Sequence, residues 1–219
     1  MLRFIGKVDQ SWLSAAPQAF SYAYEHIIPF LKQELMDQRI VFPPLEENCF
    51  KAFKECSFST LRVVILSAVP YSSGQANGLC FDVACGEDIP APLQALLRKI
   101  KDEYPENVTK ESGSYLGHLP AQGVLMLNMA LSARKGNSRS HVKLWRPFFD
   151  LLVPAIAKKN NIAWLQLGPA THIDVPNSTH FVVRGAHPAP AAGKDFESGK
   201  YFGKINAFLA ANGYETITF

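Results

Sequence analysis

The sequence has no long apolar run, no large excess of either charge and no cysteine pair at metal-binding spacing. None of the apolar stretches in its 219 residues approaches the length of a membrane-spanning helix, and "MLRFIGKVDQ" does not resemble a signal peptide. A net charge of +3 is too small to indicate a polyanionic partner by itself. These absences predict an intracellular protein that is not bound to a membrane: cytoplasmic, or nuclear if the host is a eukaryote.

Several motifs of well-known enzyme classes are also missing. The chain has no G-x-x-x-x-G-K-[ST] or G-x-G-x-x-G sequence, which disfavours nucleoside triphosphates and dinucleotides as ligands. It also lacks G-x-S-x-G and H-E-x-x-H. Without C-x-x-C spacing the cysteines are expected to be buried or free thiols, so we expect neither a disulfide framework nor a zinc site. These cysteines are Cys49, Cys56, Cys80 and Cys85.

The segments that are present alternate between apolar strands and amphipathic helices. The predicted strands lie in "LRVVILSAV", "GVLMLNMAL", "IAWLQLG" and "HFVVRGAHPAP". The predicted helices are one or two within Trp12 to Met36, then "APLQALLRKIKDEYP", Leu144 to Lys159 and "YFGKINAFLAANG". This order predicts an α/β fold in one domain, residues 1–219, with a central four-stranded parallel sheet flanked by helices.

Each predicted strand ends in a loop rich in small residues, and such loops meet at one edge of a parallel sheet. Few of the residues in these loops have polar side chains that could bind a ligand or take part in catalysis. Asn128 lies in an apolar strand, where its amide either bonds the backbone or faces the edge of a planar ligand. His187 precedes "PAP", a rigid segment that would hold the imidazole in place to stabilise a developing oxyanion.

The blocks "PY", "GQANGLCFDV", "YLGHLPAQGVLMLNMALSAR", "SRSHVKLW", "WLQLG" and "GAHPAP" resemble, in collinear order, uracil-DNA glycosylase of the first family. The resemblance covers nearly the whole chain. It implies a monomeric base-excision repair hydrolase that flips uracil out of DNA and cleaves its N-glycosidic bond without a metal or cofactor. Its implied partner is uracil-containing DNA, with single strands as one option.

By position in these blocks, the resemblance implies a role for several pocket residues. Phe81 resembles the residue that stacks on uracil, and Tyr71 the one that blocks a 5-methyl group. Asn128 resembles the amide that recognises the uracil edge, and His187 the histidine that bonds O2. Ala68 belongs to the same uracil-binding loop.

The chain departs from the family at the acid. The family's first motif is Gly-Gln-Asp-Pro-Tyr-His, and its Asp orients the attacking water. The aligned residues here run from Ser67 to Ser72, with Val69 in place of the Asp. Val69 can neither accept a proton nor carry charge; Ser67, Ser72, Ser73 and Asp82 are weak candidates for a substitute.

The loops that contact DNA in the family also differ. Serines that contact DNA phosphates align with Pro92, Pro169 and Ala189, and the leucine that fills the emptied base stack aligns with Ala191. Basic residues could compensate in part, or form a solvated loop. They are Arg134, Lys135, Arg139 and Lys143.

Two hypotheses follow. The chain is either an atypical uracil-DNA glycosylase in which Val69 replaces the water-activating Asp, or a catalytically inactive relative. The inactive relative would keep the fold as a module that binds a base, nucleic acid or protein. Retention of both Asn128 and His187 favours the enzyme.

Overall fold

A computed structural model describes residues 8–106, 113–175, 178–189 and 193–219. The strands are β1 (Val41–Phe42), β2 (Val63–Ser67), β3 (Val124–Asn128), β4 (Ala133–Arg134), β5 (Ala163–Leu167) and β6 (Phe181–Gly185). The helices are α1 (Gln10–Ala15), α2 (Pro17–Tyr22), α3 (Ile28–Met36), α4 (Leu45–Asn48), α5 (Lys51–Glu55), α6 (Ala91–Glu103), α7 (Val142–Ile156), α8 (Gly193–Glu197) and α9 (Phe202–Ala211).

The predicted parallel sheet is confirmed. Its strand order is β3-β2-β5-β6, and every neighbouring pair is parallel. Each predicted apolar run contains one of these strands, and β2, β3 and β5 are buried along their whole length. Because the strands are parallel, their carboxyl ends, together with the loops that follow, meet at one edge of the sheet.

An aromatic cluster packs the N-terminal helices against α7. Phe148 of α7 makes edge-to-face contacts with Phe20 and Phe53, with ring centroids 5.6 and 5.9 Å apart. Trp145 contacts Phe148 in the same way at 5.5 Å. This buried aromatic area provides much of the hydrophobic stabilisation on this side of the sheet.

The N-terminal region is more broken than the apolar periodicity predicts. Instead of one or two helices, it has α1, α2 and α3, with a π-helical turn at Ala23–Ile27. Pro17 is the first residue of α2. Pro29 lacks the N–H that would donate to a carbonyl one turn earlier, which interrupts the α-helical hydrogen bonds, and the π turn lies directly before this position.

Glu34 of α3 connects this helical region to the short β1–β4 ladder. Its carboxylate accepts hydrogen bonds from Arg134 Nε and Nη2 at 2.5 and 2.7 Å, and its side chain is only 6% exposed. His141 Nε2 lies 3.6 Å from Glu34, and Ser132 Oγ bonds His141 Nδ1 at 2.9 Å. The bond from Arg134 holds the pKa of Glu34 below its ordinary value. Arg134 is therefore occupied by a structural ion pair.

Glu34→Gln should lower the melting temperature by roughly 4–8 °C, because it removes a buried charge and leaves the Arg134 guanidinium with a weaker acceptor. Thermal unfolding followed by circular dichroism at pH 7.5 measures the effect. Glu47→Gln, at an exposed position of α4, is the matched control and should shift the melting temperature by less than about 2 °C. Equal shifts in both variants would contradict the importance of this network.

Candidate functional site

The carboxyl edge of the sheet brings the predicted pocket residues into one neighbourhood. Ser67 at the end of β2 is in register with Asn128 at the end of β3. The pairing continues past the strands, since Met129 N donates to Ser67 O at 2.8 Å and Ala130 N to Ala68 O at 3.1 Å. On the other side of β2, Gly168 N after β5 donates to Gly185 O of β6 at 2.8 Å. His187 follows two residues after Gly185.

Tyr71 and Phe81 are brought together by the loop between them. The Tyr71 hydroxyl donates to the carbonyl oxygen of Phe81 at 3.0 Å. Phe81 is buried and has φ +64, a left-handed conformation that is rare for a bulky residue. Burial raises the pKa of Tyr71, so its hydroxyl stays protonated and keeps this bond. The centroids of the Phe81 and His187 rings are 5.7 Å apart. Tyr71, Phe81 and His187 thus form one contact group.

Gly78 allows this loop to sit against the helices beneath it. The residue has φ +96, and a Cβ there would lie 2.2 Å from Asn48 O and 2.8 Å from Lys51 Cβ. Any side chain would therefore collide with the backbone at the end of α4. The glycine in "GLCF" sets the approach of the loop that presents Phe81.

His187 is held against the loop that follows β5. Gly168 has φ +96, and a Cβ at this position would lie 3.1 Å from His187 Cβ and 3.3 Å from His187 Cδ2. The absent side chain lets the backbone approach the imidazole closely. Burial lowers the pKa of His187 below its ordinary value, so the imidazole is neutral at pH 7 and above.

Asn128 carries an unused acceptor. The residue is 5% exposed, and its Oδ1 is buried with no hydrogen-bond partner among the residues that the structure describes. A buried amide oxygen without a partner is unfavourable by about 1–3 kcal/mol. Of the two interpretations of the sequence, a backbone N–H that donates to this oxygen is therefore not observed among the described residues.

The position of the missing acid is apolar in the structure as well. Val69 is half-buried and packs against the core. The next carboxylate in this loop, Asp82, is fully buried and accepts bonds from Asn77 Nδ2 at 2.8 Å and Leu116 N at 3.0 Å. Ser73 Oγ donates to Gln75 Oε1 at 2.9 Å. Asp82 and Ser73 therefore have structural partners of their own.

The predicted DNA-contact loops present apolar side chains beside this edge. Pro92 is half-buried in the first turn of α6, and Pro169 is exposed in the turn after Gly168. Ala189 is half-buried, and its N–H donates to His187 O at 2.7 Å. Ala191 lies outside the described residues. Of the basic residues considered as compensation, Lys135, Arg139 and Lys143 are exposed, whereas Arg134 is paired with Glu34.

Sequence reasoning missed Gln166, a polar residue inside the apolar β5. It is fully buried, donates from Nε2 to Ile173 O at 3.0 Å and accepts from Ile173 N at 3.3 Å. Arg184 of β6 donates from Nε to the same Oε1 at 3.2 Å. Gln166 thus fixes the far end of the segment 168–173 that contacts His187. Its only signal in the sequence is a glutamine in "AWLQL".

Gln166→Leu should loosen this segment while leaving the sheet intact, because it removes both bonds to Ile173 and leaves that backbone N–H without its acceptor. We expect amide exchange at Ile173 to accelerate by roughly tenfold or more. Hydrogen exchange measured by NMR tests this without any assay of activity. Gln33→Leu, at an exposed position of α3, is the control; protection at Ile173 that is unchanged in Gln166→Leu would contradict the assignment.

The part of the chain that the structure describes contains no candidate metal centre. No group of three or more His, Cys, Asp or Glu side chains within the described ranges is placed to hold a metal ion. None of the four cysteines is in a disulfide, and three of them are buried. None of the described helices is long and apolar enough to cross a membrane.

The chain is an α/β protein with an aromatic ring, an amide and an imidazole at the carboxyl edge of its parallel sheet, the edge at which such folds bind their ligands. Comparison with solved structures narrows the class. The fold matches mimivirus uracil-DNA glycosylase with a TM-score of 0.86 at 19% identity, over 99% of this chain and 89% of that chain. It matches UNG from Nitratifractor salsuginis with a TM-score of 0.67 at 16% identity, over 97% and 95% of the two chains.

Curated relatives assign the family. The chain is 32% identical to uracil-DNA glycosylase of Azobacteroides pseudotrichonymphae over 97% of its length and 98% of the relative. It is 34% identical to that of Christiangramia forsetii over 96% and 98%. No family model matches the chain. The chain belongs to the uracil-DNA glycosylase family, as the resemblance of its motifs predicts.

Proposed function

We propose that this chain is a uracil-DNA glycosylase that works without an acid at position 69. It takes a flipped-out uracil into the pocket formed by Tyr71, Phe81, Asn128 and His187 and hydrolyses the bond between the base and the sugar. The proposal rests on the family and, within the structure, on one observation above all: the buried Oδ1 of Asn128 has no hydrogen-bond partner among the described residues.

The chemistry of uracil fits this vacant acceptor. Uracil presents an N3–H donor between two carbonyl oxygens, so an amide side chain can accept from N3–H through Oδ1 and donate to a neighbouring carbonyl through Nδ2. A ligand that satisfies the buried oxygen removes an unfavourable term of about 1–3 kcal/mol. Phe81 supplies an apolar ring beside the site, and Tyr71 supplies the bulk that excludes a 5-methyl group.

His187 supplies the stabilisation of the leaving group. As the glycosidic bond breaks, negative charge builds up on the uracil oxygens, and a neutral imidazole N–H can donate to O2. The lowered pKa of His187 keeps the ring neutral, so the N–H donates to O2 without the cost of burying a positive charge. The close approach of the Gly168 backbone limits the space in which the ring can turn.

The absence of an acid makes the proposed enzyme slow but does not remove the main source of its catalysis, the stabilisation of the departing base. A positioned acid or base contributes about 10²–10⁴-fold to a rate, and Val69 forgoes that contribution. Departure of the uracil anion comes first; water then adds to the sugar cation and loses its proton to the solvent, because Val69 cannot accept it. This order assigns catalysis to the base side of the bond, through His187 and Asn128.

The loops beside the pocket favour a substrate whose base is already accessible. Pro92, Pro169 and Ala189 offer no side-chain hydroxyl to a phosphate, and each missing bond to a charged group forgoes roughly 1.5–3 kcal/mol. Unstacking a base from a duplex costs a few kcal/mol, whereas a single strand has already met this cost. Uracil in single-stranded DNA is therefore the preferred substrate.

Binding of methylated bases tests the pocket independently of catalysis. 1-Methyluracil keeps the N3–H donor, and 3-methyluracil replaces it by a methyl group. We expect the chain to bind 1-methyluracil at least about tenfold more tightly, and Asn128→Ala to abolish the difference. Titration followed by NMR measures both affinities. Equal affinity for the two bases, or a difference that survives Asn128→Ala, would contradict the proposal.

A further inference from the structure

A second, basic cleft lies at the amino edge of the sheet, the edge opposite the pocket of His187 and Asn128. Its volume is about 400 Å³. Residues before β2 and β3, after α7 and after α9 line it. They include Ser59, Thr60, Arg62, Gln122, Lys159 and Tyr214. None of these residues has a role in the proposed glycosylase chemistry.

Two cations in this cleft donate hydrogen bonds only to backbone carbonyls, and Lys159 Nζ also lies 5.4 Å from the centroid of the Phe58 ring. Arg62 donates from Nε to Gln122 O at 2.8 Å and from Nη1 to Glu215 O at 2.7 Å. Lys159 donates from Nζ to Phe58 O at 2.7 Å and to Ser59 O at 2.6 Å. Among the described residues, neither has a carboxylate oxygen within 4.0 Å, in contrast to Arg134, Arg146 and Arg184.

The donor inventory leaves the cleft able to bind an anion. A guanidinium has five N–H donors and an ammonium three, so two used bonds on each leave three free on Arg62 and one free on Lys159. Both side chains are partly buried. Desolvation lowers the pKa of Lys159, as expected for a buried cation without an anionic partner. A bound anion would offset that cost.

The arrangement favours a phosphate over a carboxylate. The planar fork of Arg62 suits two oxygens of one anion, and the compact ammonium of Lys159 suits a third. Tyr214 adds a hydroxyl group to the same cleft, whereas the hydroxyls of Ser59 and Thr60 are hydrogen-bonded to Ser57. A tetrahedral oxyanion has enough acceptor oxygens for all of these donors, whereas a carboxylate has two.

We propose that Arg62 and Lys159 form a phosphate-binding site at the amino edge of the sheet, separate from the uracil pocket. Its ligand is a phosphate group, either of a free phosphate compound or of a nucleic-acid backbone. The site goes beyond the proposed function, since none of its residues takes part in excision, and it can be tested without any measurement of uracil release.

Titration with inorganic phosphate and with pyrophosphate, at constant ionic strength set by chloride, tests the site. We expect saturable NMR shifts of the Arg62 side-chain N–H and of amides at 59–62, and an increase in melting temperature. Ser59→Asp should weaken binding about tenfold or more, because it introduces a negative charge and leaves the carbonyl bonds of Arg62 and Lys159 in place. Lys159→Met should weaken it likewise, whereas the exposed neighbour variant Lys158→Met should not.

A uracil-free single-stranded oligonucleotide distinguishes the two sources of phosphate. If the nucleic-acid backbone is the ligand, the plot of log K for oligonucleotide binding against log salt has a negative slope. Ser59→Asp then makes this slope shallower by about 0.7 for each lost contact. If the slope is unchanged while inorganic phosphate or pyrophosphate still binds the wild-type chain, the ligand is a free phosphate compound. The proposal is overturned if neither anion binds saturably and the slope does not change, or if Lys158→Met weakens binding as much as Lys159→Met. Uracil release by Ser59→Asp should equal that of the wild type.

Discussion

Val69→Asp should raise the single-turnover rate of uracil release by about 10²–10⁴-fold, the contribution of a positioned acid or base. Position 69 lies two residues beyond the end of β2, in the loop that leads to Tyr71. A carboxylate there could orient the attacking water and offset positive charge on the sugar. The gain depends on a substrate that is already bound correctly, so it measures how well the remaining pocket positions uracil.

The control for this gain is Val69→Asn, which has the same shape as the aspartate variant but can neither carry charge nor accept a proton. It should leave the rate within about threefold of the wild type. Because Val69 is half-buried, both polar variants must first be shown to melt cooperatively. No gain in Val69→Asp, or the same gain in Val69→Asn, would contradict the assignment of position 69 as the missing catalytic site.

His187→Ala should lower kcat for uracil release by about 10²–10³-fold while changing KM little, because the lost N–H bond strengthens only as charge develops on the departing base. Single-turnover kinetics on a single-stranded uracil oligonucleotide separate the two effects. The wild-type rate should also show no ionisation of His187 between pH 7 and 8, since burial keeps its pKa below the ordinary 6.5.

His172→Ala is the matched control, because His172 is exposed on the loop after β5 and its removal leaves the pocket unchanged. Its kcat should stay within about twofold of the wild type. A loss confined to KM in His187→Ala, or an equal loss in both variants, would show that His187 does not stabilise the leaving group.

The sheet could be predicted from sequence because each of its strands is a continuous apolar run. Two-residue strands have no periodicity, so the β1–β4 ladder could not be found, and neither could the short α8. The N-terminal helices are interrupted near Pro17 and Pro29, and the π turn before Pro29 depends on how α2 and the turn itself pack against α7. Glu34 and Gln166 are polar residues whose partners only the tertiary structure identifies.

For the candidate site, the motifs identified the residue types but not their conformations. The left-handed φ of Phe81 and its bond from Tyr71 have no local signal. The vacancy at Asn128 Oδ1 is a property of its surroundings, since the same residue in the same strand could have bonded the backbone. Arg134 is the opposite case: the sequence left open whether it contacts DNA or lies in a solvated loop, and the structure pairs it with Glu34.

The most direct test of the central claim is uracil release at high enzyme concentration from single-stranded and duplex oligonucleotides. The wild-type chain is compared with the double variant His187→Ala/Asn128→Ala. We expect the wild type to release uracil from both substrates, and faster from the single strand. The rate of the double variant should be lower by at least about 10²-fold. Wild-type release no faster than the background of the double variant would contradict it and leave a binding module with a glycosylase fold.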